Sequence, residues 1–377
     1  MRNKILFLTL RVFSATGGIE KVCRIAGKAL FELSLQYGGL VKVHSMYGTQ
    51  GKADGNKYFP QLLFAGFGGH RIRFVLKSIK EGRKSRIVLL SHINLLLVGY
   101  LVKRIRPSVK LVLLAHGIEV WEKLPAWKRR MLHRCDLVLP VSHFTRDRMI
   151  EIHGLPKERF IVINNCLDPL MELPLNKDKS TTLMDRYGLN KENTILLTVS
   201  RMRETEIDKG YDKVLQAISE LGKNLSGLRY LLLGDYDEME KKRLDEKIRE
   251  LRIEQAVIFA GMIPDDEMAD HFRLADLFIM PSTKEGFGIV FIEAMFYGLP
   301  VIAGNKDGSC DALGNGEFGI LADPDNINGL TEAVKTMLQN PGNFRPDLSR
   351  LIGRFGYPGY KEQLNKSLSG LLPESAN

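Results

Sequence analysis

Two glutamates, Glu285 and Glu293, stand eight residues apart in a stretch whose pattern changes from strand to loop to helix. Two cations, Arg201 and Lys209, occupy an earlier junction of the same kind. Carboxylates accept hydrogen bonds from hydroxyl-rich ligands, sugars and riboses above all. Cations at a strand–helix turn can neutralise a diphosphate leaving group as negative charge grows on it. A histidine, His116, follows the apolar run 111–115, which places it at the carboxyl edge of a sheet, where open α/β sheets bind ligands. Each residue also has a plainer role: a loop glutamate and a first-turn glutamate favoured by the helix dipole, a solvated Arg and Lys, a structural His. Spacing alone leaves both open.

The elements that must hold these groups can be read from the apolar pattern. Residues 275–280 form a buried-strand run, 285–288 a glycine-bearing loop, and Ile289, Ile292, Met295 and Phe296 the apolar face of a helix. Gly298 and Pro300 stop that helix, and 299–303 begins another strand. The loop therefore offers backbone N–H groups and a helix start, an arrangement that suits an anion. Earlier strands are expected at 4–9, 41–47, 87–91, 111–115, 137–141 and 161–164, and later ones at 195–199, 230–233 and 257–260, with one short strand within 304–323. Gly17 and Gly18 permit a tight turn between the first strand and a helix, although the G-x-G-x-x-G fingerprint is absent. The polar segment 170–193 reads as a linker, and 354–371 as a terminal helix broken at Pro358.

The run E-G-F-G-I-V-F-I-E-A-M-F-Y-G-L-P-V-I-A from Glu285 resembles the signature of retaining glycosyltransferases of the family 4 (glycosyl transferases group 1) type. The resemblance implies an α/β architecture, the GT-B fold: two Rossmann-like domains facing across a cleft, with a C-terminal helix crossing back to the first. The implied domains are 1–170 for the acceptor, 171–353 for the nucleotide sugar, and the returning helix 354–377. It further implies that Glu285 holds the sugar hydroxyls, Gly286, Phe287 and Gly288 cradle sugar and phosphate, and Glu293 binds the ribose. Arg201 and Lys209 would offset charge on the diphosphate, and His116 would contact the sugar. Gly17 and Gly18 would lie near the donor phosphates, and Gly261 and Met262 near the base. No cofactor and no essential metal are implied. Asp235-Tyr236-Asp237 spells the metal-binding D-x-D of a different glycosyltransferase fold, but it opens a densely charged helix and reads as surface. Two departures stand out: N-N-C-L-D at 164–168 where the family has N-G-[VI]-D, and a longer loop between Arg201 and Lys209. An epimerase, a phosphorylase or a non-catalytic nucleotide-sugar-binding subunit on the same fold are the rival functions.

Charge divides the chain. Residues 1–170 carry 29 Lys+Arg against 11 Asp+Glu, net +18, whereas residues 171–377 are net −8. A basic half points to an anionic partner. No nucleic-acid-binding motif accompanies it, so an anionic membrane face or a phosphate-bearing, lipid-linked acceptor is the expected partner. The segment 71–86 interleaves seven cations with Ile72, Phe74, Val75, Leu76 and Ile79, and fits either a surface helix burying its apolar stripe or a lipid-docking helix. Four scattered cysteines argue for a reducing cytoplasm, and the apolar runs are too short or too interrupted to span a membrane. The expected place is the cytoplasm, peripheral on the inner membrane face.

Overall fold

The structure, a computed structural model, describes residues 4–14, 17–36, 38–173, 178–222 and 227–371. The chain divides into two compact units, Met1–Leu170 with Phe355–Asn377, and Met171–Arg354. The first holds β1 (Lys4–Thr9), β2 (Leu40–Ser45), β3 (Phe64–Gly66), β4 (Ile87–Leu90), β5 (Lys110–Ala115) and β6 (Leu137–Pro140). The second holds β7 (Thr194–Val199), β8 (Leu228–Leu233), β9 (Val257–Gly261), β10 (Leu277–Met280), β11 (Val301–Gly304) and β12 (Ile320–Ala322). The sheets are ordered β3-β2-β1-β4-β5-β6 and β12-β11-β10-β7-β8-β9, with every pair parallel. Counted within its own unit, each sheet runs 3-2-1-4-5-6, the doubly wound order.

Apolar runs without alternation produce this arrangement. Ile87–Leu90 (IVLL) and Leu277–Met280 (LFIM) are buried at every position, as strands covered by helices on both faces must be. The covering helices are amphipathic. Helix Tyr211–Gly222 buries Tyr211, Val214, Leu215, Ile218 and Leu221 on one face against the second sheet. Each such side chain removed from water contributes about 1.5–3 kcal/mol. One polar device sets register in both sheets. Asp136 accepts the Leu111 N–H at 2.7 Å, and Asp276 accepts the Ile195 N–H at 2.9 Å, each just before the last strand of its pair.

Several expected boundaries shift. Residues 161–164 form no strand. That chain runs extended beside β6, with Ile161 and Ile163 donating to Val138 and Pro140, but its ladder is a lone bridge at Phe160. The second strand ends at Ser45, and the connection after it contributes the edge strand β3. The terminal helix breaks at Gly356, between Leu348–Phe355 and Tyr357–Ser369. Pro358 lies in the first turn of the second helix, where its missing N–H costs no intrahelical bond. This last helix packs Tyr360, Leu364 and Leu368 into the core of the first unit, and Lys361 pairs with Glu32 at 2.8 Å.

Gly210 controls how the β7 and β10 exits meet. Its φ is 81°, and a Cβ there would overlap the Pro281 carbonyl oxygen at the end of β10. Gly210→Ala is expected to destabilise the protein by about 1–3 kcal/mol, read as a lower denaturant midpoint at unchanged slope. An unchanged midpoint would show that the two exits do not pack.

Candidate functional site

In a doubly wound sheet the chain leaves neighbouring strands in opposite directions at one point, and a crevice opens at their carboxyl ends. In the second unit that point lies between β7 and β10. Arg201 and Lys209 follow β7, and Glu285 follows β10, so the strand order carries residues far apart in sequence to one edge. Lys209 Nζ donates to Glu285 Oε2 at 2.5 Å, with side-chain exposures of 17% and 19%. The two loops are also joined through backbone, Thr283 N–H donating to the Asp208 carbonyl at 2.9 Å.

Burial by itself would lower the Lys209 pKa, but Glu285, Glu206 and Asp307 outweigh it and hold the ammonium above the ordinary lysine value. Lys209 is therefore a fixed positive charge at neutral pH. Arg201 behaves differently. Its side chain is 62% exposed and turns to Glu206 at 2.8 Å. An exposed pair of this kind is worth about 0.2–1 kcal/mol, so an incoming anion can displace Glu206 at little cost. The structure thus joins Lys209 to Glu285 and leaves Arg201 on the same loop facing another carboxylate.

Behind the Glu285 loop lies a residue that sequence reasoning missed. Asp307, 1% exposed after β11, accepts the Glu285 N–H and the Ser282 hydroxyl at 2.7 Å each and the Ser309 N–H at 2.9 Å. Burial pushes its carboxyl up to about 6, against the opposing pull of those hydrogen bonds. Its Asp-Gly context reads as turn chemistry, which hid it. Glu206 was missed in the same way: its Oε2 is buried without a partner among the described residues.

The remaining positions fall as follows. Gly286 is buried, Phe287 is 1% exposed, and Gly288 is the N-cap of helix Ile289–Phe296 with φ 83°. The Phe287 ring is in the core, so what this segment presents to a ligand is backbone. Glu293 lies on that helix and is 8% exposed. Its position is one turn beyond the helix start, which is not that of an exposed first-turn glutamate. Gly261 ends β9 and Met262, 68% exposed, follows it, both at the carboxyl edge of the sheet. Asp235 pairs with Arg203 at 2.9 Å, and Asp237 caps helix Glu238–Leu251 by accepting the Glu240 N–H at 2.8 Å. The D-x-D run is spent on structure.

In the first unit, Gly18 opens helix Gly18–Gln36, and neither it nor Gly17 has a left-handed φ. His116 lies after β5 as expected. Its Nε2–H donates to the Ser91 carbonyl at 2.8 Å, and its Nδ1 has no partner among the described residues. The basic helix Arg71–Gly82 divides its apolar residues. Phe74 is buried and Val75 and Ile79 pack on the core, while Ile72 and Leu76 are 78% and 64% exposed. These two line a shallow surface cavity with Arg71, Arg73, Lys77 and Lys80. No helix among the described residues is long and apolar enough to cross a membrane.

Comparison with known proteins gives two family models. "Glycosyltransferase Family 4" matches residues 40–169 and "Glycosyl transferases group 1" matches 179–352. The GDP-mannose-dependent alpha-(1-6)-phosphatidylinositol monomannoside mannosyltransferase of Mycolicibacterium smegmatis is 29% identical over 66% of this chain and 65% of its own length. Mannosylfructose-phosphate synthase of Agrobacterium fabrum is 29% identical over 52% of this chain and 45% of its own. The chain therefore spans less than two thirds of the length of these relatives. Among solved structures, Anabaena HepE in complex with UDP superposes with a TM-score of 0.76 at 22% identity, over 97% of this chain and all of that one, which places the fold as GT-B.

The Lys209–Glu285 contact makes an energetic prediction. In a double-mutant cycle with Lys209→Met and Glu285→Gln, the coupling should be about 0.5–3 kcal/mol by chemical denaturation. Additive effects would mean that the two side chains act independently.

Proposed function

Since this chain belongs to the group 1, family 4 glycosyltransferases, we propose that it transfers a hexosyl unit from a nucleoside diphosphate sugar to a hydroxyl of a saccharide or lipid-linked saccharide. Transfer proceeds with retention at the anomeric carbon and without an essential metal. The observation that carries this reading is the partly buried Lys209–Glu285 pair at the β7/β10 crevice. It supplies a permanent cation for a diphosphate beside a carboxylate for sugar hydroxyls.

On this reading Glu285 accepts hydrogen bonds from the sugar, the backbone of Gly286, Phe287 and Gly288 lines sugar and phosphate, and Glu293 accepts from the ribose diol. As the bond from the anomeric carbon to the diphosphate oxygen breaks, Lys209 and Arg201 stabilise the charge left on that oxygen. The acceptor oxygen bonds the anomeric carbon on the same face, and its proton passes to the departing phosphate. His116 is assigned to a hydroxyl of the sugar. The names of the relatives supply the donors to try first, GDP-mannose and UDP-glucose. Their acceptors include an anionic lipid and a sugar phosphate, in keeping with a first unit whose residues 1–170 carry net charge +18. We assign the enzyme to surface polysaccharide synthesis, working in the cytoplasm against the inner membrane face. There Ile72 and Leu76 enter the interface while Arg71, Arg73, Lys77 and Lys80 meet lipid phosphates.

Two experiments test the proposal. Release of UDP or GDP from these donors should require an acceptor, and Lys209→Ala or Glu285→Ala should lower turnover roughly 10²–10³-fold; near-normal transfer by either variant would sink the assigned roles. Liposomes containing anionic phospholipid should sediment the protein in low salt and lose it as salt rises, and Ile72→Asp with Leu76→Asp should weaken binding at every salt concentration. Binding indifferent to lipid charge and to both substitutions would remove the membrane assignment.

A further inference from the structure

The Glu285 loop is held from behind at both ends of one residue. Asp307 Oδ2 accepts the Glu285 N–H at 2.7 Å, and the Gly308 N–H donates to the Glu285 carbonyl at 2.8 Å. The approach is closed to a side chain, because a Cβ on Gly308 would overlap the Gly286 carbonyl and lie 2.8 Å from that of Glu285. The Asp307 carboxylate reaches further, to the Ser282 hydroxyl at the exit of β10 and the Ser309 N–H. All three bonds use Asp307 as an acceptor, and none needs a proton on it. Meanwhile the Glu285 side chain is turned to Lys209.

We propose that ionised Asp307 is the positioning residue of the donor site: it fixes the backbone of Glu285, and its protonation in mild acid loosens that loop. The role in turnover rests on the transferase reading above; the geometry and its titration do not. Asp307 is well buried, and its carboxyl is raised from 3.8 to about 6, so its titration falls within a range in which the folded protein can be studied. The groups around it are Lys209, whose positive charge it helps to hold, Cys310 beside it on the following short helix, Asp311 on that same helix, and Glu285, whose N–H it accepts. Protonation puts a hydrogen on a group that currently only accepts. The Ser282 hydroxyl can turn to accept that proton, and the Glu285 N–H is left on a neutral carboxyl oxygen, a weaker acceptor than a carboxylate.

The sign separates positioning from simple stability. A carboxyl whose pKa is raised by folding binds its proton more tightly in the native state, so acid between about 6 and 3.8 favours the fold through this group. The loop contact changes in the opposite direction: it is charge-assisted above about 6 and weaker below. If Asp307 were only a structural residue, activity and stability would follow the same course.

The test uses the full chain. In pH-titrated NMR, the Glu285 amide proton should move from a strongly hydrogen-bonded to an ordinary shift with a midpoint of about 6. Ser282→Ala removes a bond that favours the ionised form, so the midpoint should rise. Asp307→Asn should abolish the titration. In turnover with GDP-mannose or UDP-glucose, kcat should show an acid limb at the same midpoint, shifted upward by Ser282→Ala. Asp307→Asn should lower kcat by about tenfold to a hundredfold while changing KM for the donor far less. A Glu285 amide that does not titrate, or a midpoint unmoved by Ser282→Ala, overturns the proposal even if transferase activity is found. Failure of both donors to react would count against the functional reading, and the amide titration would still decide the role of Asp307.

Discussion

The second unit depends on a cation and a carboxylate meeting in a poorly hydrated crevice. Taking Lys209 and Glu285 out of water costs several kcal/mol per ion, and their attraction returns that only when the geometry is tightly held. A pair of apolar side chains would stabilise the same packing as well or better. Much of the surrounding structure serves to keep the two groups in register. The strand order sets β7 beside β10, Gly210 lets the β7 exit rest on the Pro281 carbonyl, and Asp307 with Gly308 fixes Glu285 from behind. An ion pair retained at this expense is better explained by what it does than by what it stabilises.

The two sheets are ordered alike but use their carboxyl edges differently. In the second unit the crevice residues are charged and paired. In the first unit the corresponding edge carries His116, whose Nε2–H is tied to the Ser91 carbonyl. The charge of the first unit lies instead on its surface helix, where Arg71, Arg73, Lys77 and Lys80 surround two exposed apolar residues. One unit concentrates charge at a point, and the other spreads it over a face.

This contrast also explains what could be read from the sequence. The strands were legible because parallel strands buried on both faces are unbroken apolar runs, and eleven of the twelve were anticipated in some form. The edge strand β3 is three residues long, too short for a pattern to emerge. The run 161–164 was misread because it is apolar and extended yet lies where the ladder is a single bridge. Glu285, Lys209 and Arg201 could be named because each sits at a strand–helix junction in a recognisable motif. Asp307 and Glu206 could not, since each acts through neighbours that only the folded chain supplies: three donors converging on one carboxylate, and an arginine turned back along its own loop. The split of the helix Arg71–Gly82 was hidden for the same reason, because Ile72 and Phe74 differ only in the direction each side chain takes.

Net charge alone would place an anionic donor in the first unit, since residues 171–377 are net −8, whereas the proposed reading places it in the second. Distance and screening reverse that expectation. Many of those carboxylates are already neutralised, as where Arg243 holds Asp212 at 2.8 Å and Glu240 at 2.6 Å, with Lys247 at 3.3 Å from Asp212. Exposed ones further than a Debye length of about 8 Å from the crevice are largely screened at physiological salt. Lys209 is mostly buried, where screening is weak and a contact at hydrogen-bond distance outweighs distant repulsion. Arg201, exposed and only lightly held by Glu206, can add a second contact once an anion is present. On the proposed reading a diphosphate would therefore respond to Lys209 and Arg201, and the acidic remainder of the unit would have little influence on where it binds.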